Sequence, residues 1–155
     1  IFIDLIMRSL FLIFKIIFIY SLSISSASSN QNNYLEKGIS LFKEKSFEES
    51  KIWFERDIVF NPKSEKSYLY LAKIFSNKKN KEQEEINLNN VLLLNPKNDE
   101  AIYMLILLKI EQSDYNYARN LIKNFNLVCE SLCSKNEEIK KKLEKLDPDN
   151  AKAEN

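Results

Sequence analysis

Asn61-Pro62-Lys63 and Asn95-Pro96-Lys97 are one tripeptide written twice, 34 residues apart. Working outward from that pair, frames that begin at Gln31, Glu65 and Asp99 align three columns. Tyr34, Tyr68 and Ile102 form the first, Gly38, Ala72 and Ile106 the second, and Phe54, Leu88 and Ile122 the third. Every column is apolar or small. A fixed period of this size marks stacked supersecondary units, none of which can bury its apolar side alone. Within the first frame Tyr34, Gly38, Leu41 and Phe42 make one stripe at helical spacing, and Phe47, Trp53, Phe54 and Ile58 make a second. Each frame therefore predicts two antiparallel helices. Ser46, Asn80 and Asp114 fall between the stripes as helix caps. Pro62 and Pro96 close the frames, because proline inside a helix forfeits a hydrogen bond and clashes with the preceding turn.

Composition bounds what such a chain can do. Its 155 residues hold one ordinary domain. The 23 basic and 22 acidic residues leave a net charge of +1, so no chain-wide field draws in nucleic acid. The absence of histidine excludes Ser-His-Asp and Cys-His nucleophile systems and imidazole zinc sites. One glycine and three prolines leave no material for a phosphate-cradling loop. No catalytic residue, metal site or cofactor is expected. The acidic run Glu82-Gln83-Glu84-Glu85 is the nearest enzymatic candidate, but on a helix its side chains splay around the surface and read as a solvated face.

Small residues recur where two helices of a hairpin must approach: Gly38 and Ala72 at the eighth place of their frames, Ser50 and Ala118 at the twentieth. On these residues the chain resembles the tetratricopeptide repeat (TPR) family over residues 31–128. The first frame fits through Tyr34, Gly38, Phe47, Ser50, Phe54 and Pro62. The second keeps Tyr68, Leu71, Ala72, Phe75 and Pro96 but has Glu84 at the small twentieth place. The third keeps Tyr115 and Ala118, with Ile106 where Gly or Ala belongs and Glu130 where Pro belongs. The resemblance implies an all-α, short right-handed solenoid of three hairpins, 31–64, 65–98 and 99–132, closed by a C-terminal capping helix.

The resemblance also implies that the first helix of every hairpin lines a concave groove. The residues in register there are Asn32, Leu35, Ile39 and Phe42, then Lys66, Leu69, Lys73 and Ser76, then Glu100, Tyr103, Leu107 and Ile110. The candidate partner-binding set is Leu35, Ile39, Phe42, Lys66, Leu69, Lys73, Tyr103, Leu107 and Ile110. Apolar residues at this spacing serve core packing as readily as ligand contact. The carboxylate clamp of chaperone-binding TPR domains is missing, since its places hold Leu35, Ile39, Tyr70, Glu100 and Met104. A largely apolar groove suits an amphipathic helix or an extended apolar segment of a protein partner.

The two ends carry further signals. Met7 is the first methionine, and residues 1–6 read as translated upstream sequence. Arg8 and Lys15 precede the apolar run Ile16 to Ile24 and the small residues Ser25-Ser26-Ala27, the pattern of a secretory signal spanning 1–27 and cleaved after Ala27. The rival is a membrane anchor, but the run falls short of the roughly 20 apolar residues needed to span a bilayer. The mature chain would then be periplasmic or secreted, with no stable membrane span. Downstream, residues 129–149 form a junction and a cap, followed by a disordered tail at 150–155. Leu132, Ile139, Leu143 and Leu146 make a narrow apolar stripe that predicts a capping helix over Asn136 to Leu146. Cys129 and Cys133, with no histidine, cannot complete a zinc site. For an exported chain an internal disulfide with a bend between the cysteines is the leading reading, and two buried thiols are the alternative.

These features together predict a non-catalytic interaction module or scaffold of the cell envelope that holds a protein or peptide partner. The alternatives are a self-associating structural homo-oligomer and an accessory subunit of an envelope assembly machinery.

Overall fold

The structure is a computed structural model that describes residues 31 to 147. Among the described residues seven α-helices follow one another: α1 Gln31–Lys43, α2 Phe47–Phe60, α3 Glu65–Asn77, α4 Lys81–Leu94, α5 Asp99–Glu111, α6 Tyr115–Val128 and α7 Asn136–Leu146, with a 3-10 turn, Cys133–Lys135, before the last. No strand occurs among the described residues. α3 packs on α4 and α5 on α6, while α2 against α3 and α4 against α5 join successive hairpins. The result is an all-α solenoid. The expected signal segment 1–27 and the tail 150–155 lie outside the described residues.

The first hairpin is closed by its glycine. A Cβ added at Gly38 would lie 2.6 Å from Cε1 and 2.8 Å from Cδ1 of Phe54. That ring cannot move aside, because it is fully buried and stacked on Tyr70 at 4.9 Å. Ser50 Oγ on α2 donates to the Gly38 carbonyl at 2.8 Å, so the small residues of both helices meet as expected. In the third hairpin Ile106 is fully buried, and so is Ala118 on the facing helix. One small partner is enough for that crossing.

The turns inside the hairpins follow the same period. Lys45, Lys79 and Ser113, each the fifteenth residue of its frame, have φ of 62°, 57° and 62°. Each sits in a Schellman motif: Lys45 N–H donates to Phe42 O and Ser46 N–H to Leu41 O, a pair repeated at Lys79–Asn80 and Ser113–Asp114. Left-handed backbone costs a non-glycine residue roughly 1–2 kcal/mol, and here three such residues bear it. Asn80 and Asp114 cap α4 and α6 through Gln83 N–H and Tyr117 N–H. Ser46 makes no side-chain cap bond, a correction to the expectation.

Successive hairpins are joined at equivalent places by different chemistry. Between the first two, Ser67 Oγ donates to the buried Asp57 carboxylate at 2.5 Å, and Ser64 Oγ donates to Ser67 Oγ. One period later the same two places hold Val91 and Ala101, both fully buried. Likewise Lys51 lies over the Phe75 ring at 5.9 Å, whereas the equivalent pair is Glu85 and Lys109, bonded at 2.6 Å. Hydrogen bonds from the nearly buried Lys109 hold the Glu85 carboxyl below its ordinary range, against a smaller opposing effect of burial. The acidic run on α4 is thus not a solvated face throughout: Glu84 is 7% exposed and Glu85 is engaged.

The first residue of a frame grips the loop one period on. Glu65 Oε1 accepts from Asn95 Nδ2 at 3.0 Å and from Asn98 Nδ2. Asp99 Oδ2 accepts from three consecutive amides, Glu130, Ser131 and Leu132, at 3.1, 2.7 and 3.0 Å. Burial alone would raise the Asp99 carboxyl, but those amides and the Ser131 hydroxyl outweigh it and hold it low. The gripped loop is the one spanned by the Cys129–Cys133 disulfide, with Cα atoms 5.3 Å apart and a bend at Glu130–Ser131. Where the third frame lacks its proline, a carboxylate and a disulfide shape the corner.

α7 covers the far side of the third hairpin. Ile139 and Leu143 are buried in the core that contains Ile102, Leu105, Ile106, Leu121 and Phe125. Arg119 of α6 pairs with the buried Asp147 just past α7. The exposed face of α7 is charged, as a terminal cap requires.

Two substitutions at glycine-related places should move thermal stability in opposite directions. Gly38→Ala is expected to destabilise by about 1–3 kcal/mol through overpacking against Phe54, although Gly→Ala in an ordinary helix stabilises. Lys79→Gly is expected to stabilise by about 0.5–1 kcal/mol, since only the left-handed strain is removed. Denaturant melts of the two variants beside the parent check both signs.

Candidate functional site

Two clefts open along the helices that begin the hairpins. The larger, about 460 Å³, is lined by Ser76 and Lys79 at the end of α3, Lys81 and Glu84 at the start of α4, and Met104, Leu107, Leu108 and Glu111 of α5. The smaller, about 350 Å³, is lined by Phe42 of α1, Lys73, Ser76 and Asn77 of α3, and Met104 of α5. They share Ser76 and Met104. Together they make a groove across α1, α3 and α5 with an apolar floor of Phe42, Met104 and Leu107 and a charged rim.

The walls are fixed before anything enters. Phe42 packs edge-on against Phe47 at 5.2 Å and Tyr70 at 5.0 Å. Lys73 Nζ bonds Glu100 at 2.8 Å and lies over the Tyr70 ring at 4.9 Å. Lys81 Nζ lies 3.5 Å from a Glu111 carboxylate oxygen and donates to the Glu111 backbone carbonyl at 3.4 Å. Glu84 has no lysine or arginine in ion-pair range among the described residues. Burial is the main cause that raises its carboxyl, opposed by a hydrogen bond from Ser76, raised again by the Glu111 charge and lowered by Lys81.

Not all of the sequence-predicted groove residues line it. Phe42, Lys73 and Leu107 do, as does Ser76. Leu35 and Ile39 are half-buried against Phe54, Leu71, Ile74 and Phe75. Leu69 and Ile110 belong to the buried core and are unavailable to a ligand, which corrects their assignment. Tyr103 lines neither cleft, and its hydroxyl donates to Glu138 of the cap at 3.4 Å. Burial and the Glu138 charge raise that hydroxyl. Lys66 is exposed and lines neither cleft, and the Asn32 side chain lies outside the described residues. The groove lies toward the C-terminal ends of α3 and α5, which brings in Met104, Leu108 and Glu111 at i, i+4 and i+7. That apolar-to-acidic stripe was present in the sequence. Glu84 also had a signal, since it breaks the column of small residues.

No family model matches the chain, and no curated protein matches it. Among solved structures it is similar to the TPR domain of Arabidopsis OM64, with a TM-score of 0.66 and 20% identity over 74% of this chain and 94% of that one. It is also similar to the TPR domain of Sgt2 from Aspergillus fumigatus, with a TM-score of 0.64 and 16% identity over 78% of this chain and 84% of that one. At such identities the likeness establishes the fold, a solenoid of TPR-type hairpins.

Glu84→Gln should reveal the buried carboxylate through pH. A carboxyl raised in the folded state contributes stability that is present below its unfolded pKa and lost as pH rises through the folded value. The parent is therefore expected to lose stability relative to Glu84→Gln between acid and neutral pH, with the variant the more stable at pH 7. Paired melts across that range check the sign.

Proposed function

We propose that the chain is a TPR interaction module that holds a protein or peptide segment in the groove across α1, α3 and α5. The observation that carries this reading is the apolar floor of Phe42, Met104 and Leu107, left open although the helices around it are fully packed. Side chains that already have partners, Lys73 with Glu100 and Lys81 with Glu111, frame that floor without needing to move. Preformed walls reduce the ordering cost of binding. An extended apolar segment or one face of an amphipathic helix fits such a floor. The module acts by binding, with no chemistry of its own.

The site of action is the cell envelope, on the strength of the secretory-type pattern at residues 7–27. Expression from Met7 in a bacterial host, with N-terminal sequencing of the exported product, is expected to give Ser28 as the first residue; retention of the whole segment would remove export by cleavage.

Met104→Asp and Leu107→Asp test the groove directly. Both side chains are only half-buried, so the fold survives in far-ultraviolet circular dichroism. Partners recovered from an envelope extract by the parent are expected to be lost from both variants. Equal recovery by parent and variants would move the binding elsewhere.

A further inference from the structure

The third corner differs from the two before it in what fixes its shape. Pro62 and Pro96 stiffen the first two through a ring that no solution condition opens. At the third, Glu130 stands in that place and the constraint is the Cys129–Cys133 disulfide. The loop it closes contains the three amides, Glu130, Ser131 and Leu132, that donate to Asp99 Oδ2. One short stretch of backbone is thus held twice, by a covalent bond and by a carboxylate from the start of α5. The two cysteines are unequally placed: Cys129 packs against the core, whereas Cys133 is exposed.

The cap is suspended from that loop. α7 begins without a side-chain cap. Instead the Asn136 N–H donates to the Cys133 carbonyl and the Lys135 N–H to the Leu132 carbonyl, so the closed loop sets where the helix starts. Of its 11 residues, Ile139 and Leu143 are buried. Asn136 bonds Asn126, Glu138 accepts from Tyr103, and Asp147 pairs with Arg119. A helix of this length is marginal by itself. Its docking therefore depends on how the loop delivers it to the third hairpin.

We propose that the Cys129–Cys133 disulfide is a thiol-exchange site that latches the cap and is opened by a dithiol. A thiolate of the dithiol attacks Sγ of the exposed Cys133, the bond between the cysteines breaks, and Cys129 leaves as a thiolate that takes up a proton. The second thiolate of the reductant then attacks its own sulfur in the mixed disulfide and releases Cys133 as the other thiol. Two electrons and two protons pass to the chain, and the reductant is left as a disulfide. With the loop open, Asp99 alone holds the amides of residues 130–132. α7 then leaves the third hairpin more often, by on the order of tenfold, the scale set by the chain entropy of so short a loop. The hairpins stay folded, because the loop lies beyond α6, the last of their helices. The coupling is reciprocal: whatever the closed loop adds to the grip of Asp99, that grip adds to the resistance of the disulfide to reduction.

The test follows hydrogen exchange by mass spectrometry on the full chain, oxidised and after treatment with dithiothreitol. The expected result is exchange about tenfold faster over residues 129–146 in the reduced chain, with α1 and α2 unchanged. A variant carrying Cys129→Ser and Cys133→Ser together is expected to match the reduced chain and to ignore dithiothreitol. In a second arm, alkylation in dithiothreitol redox buffers gives the reduction equilibrium. Asp99→Asn is expected to move that equilibrium at least about threefold toward the two thiols. Glu65→Gln, at the same place one corner earlier, is expected to leave it where it is. Equal exchange of α7 in the two redox states would overturn the latch, and so would a loss of protection on reduction that reaches α1 and α2. An equilibrium that Asp99→Asn leaves unmoved, or that Glu65→Gln moves as far, would overturn the coupling on which the latch rests.

Discussion

The flank of each hairpin is apolar and finds its cover in the next hairpin. Leu71 and Ile74 on α3 meet the first hairpin beside Phe54, while Leu69, Leu88 and Val91 of the same hairpin join the third through Ala101, Ile102 and Leu105. Neither side can be left open, because burial of these side chains is the main favourable contribution to the fold. At the far end the requirement passes to α7, whose Ile139 and Leu143 are buried while its other face stays charged. The chain is therefore quasi-one-dimensional, with each unit depending on its neighbours.

That dependence explains why the architecture was legible in sequence and why the details were not. The 34-residue period is a consequence of equivalent corners, so Asn61-Pro62-Lys63 and Asn95-Pro96-Lys97 reported it directly. The helix crossing at Gly38 was equally readable, since only a missing side chain admits the Phe54 ring. The left-handed turn residues were not, because Lys45, Lys79 and Ser113 occupy places where composition suggested no special backbone. Their conformation is imposed by the paired Schellman bonds at each helix end. The third corner was also opaque: the sequence shows Glu130 where proline belongs, but Asp99 organises that loop through three amides that a sequence does not display.

The groove illustrates a second limit. Register along a helix places residues on a side, but the neighbour decides whether that side faces solvent or a packed helix. Leu69 and Tyr103 share their repeat place with Leu35, yet the first is core and the second faces α7. Phe42, Ser76, Met104 and Leu107 escape that cover and line the clefts. Glu84 could be flagged in sequence only as a departure from the small-residue column. The structure shows it beside Ser76 at the cleft, where it adds a carboxylate to a wall that also holds Lys79, Lys81 and Glu111. Val59, Leu93 and Leu127, exposed at the same place of successive hairpins, obey the same period as the core but serve no packing, which separates folding constraints from surface ones on a single helix.

Nearest-neighbour sheltering is tested most directly by residue-resolved hydrogen exchange on a chain whose cap is loosened, Leu143→Asp. If each hairpin is protected by the units beside it, amides of α7, α5 and α6 exchange faster in the variant while those of α1 and α2 keep the protection of the parent. Unchanged protection in α5 and α6, or earliest loss in α1 and α2, would contradict an array built from neighbouring copies.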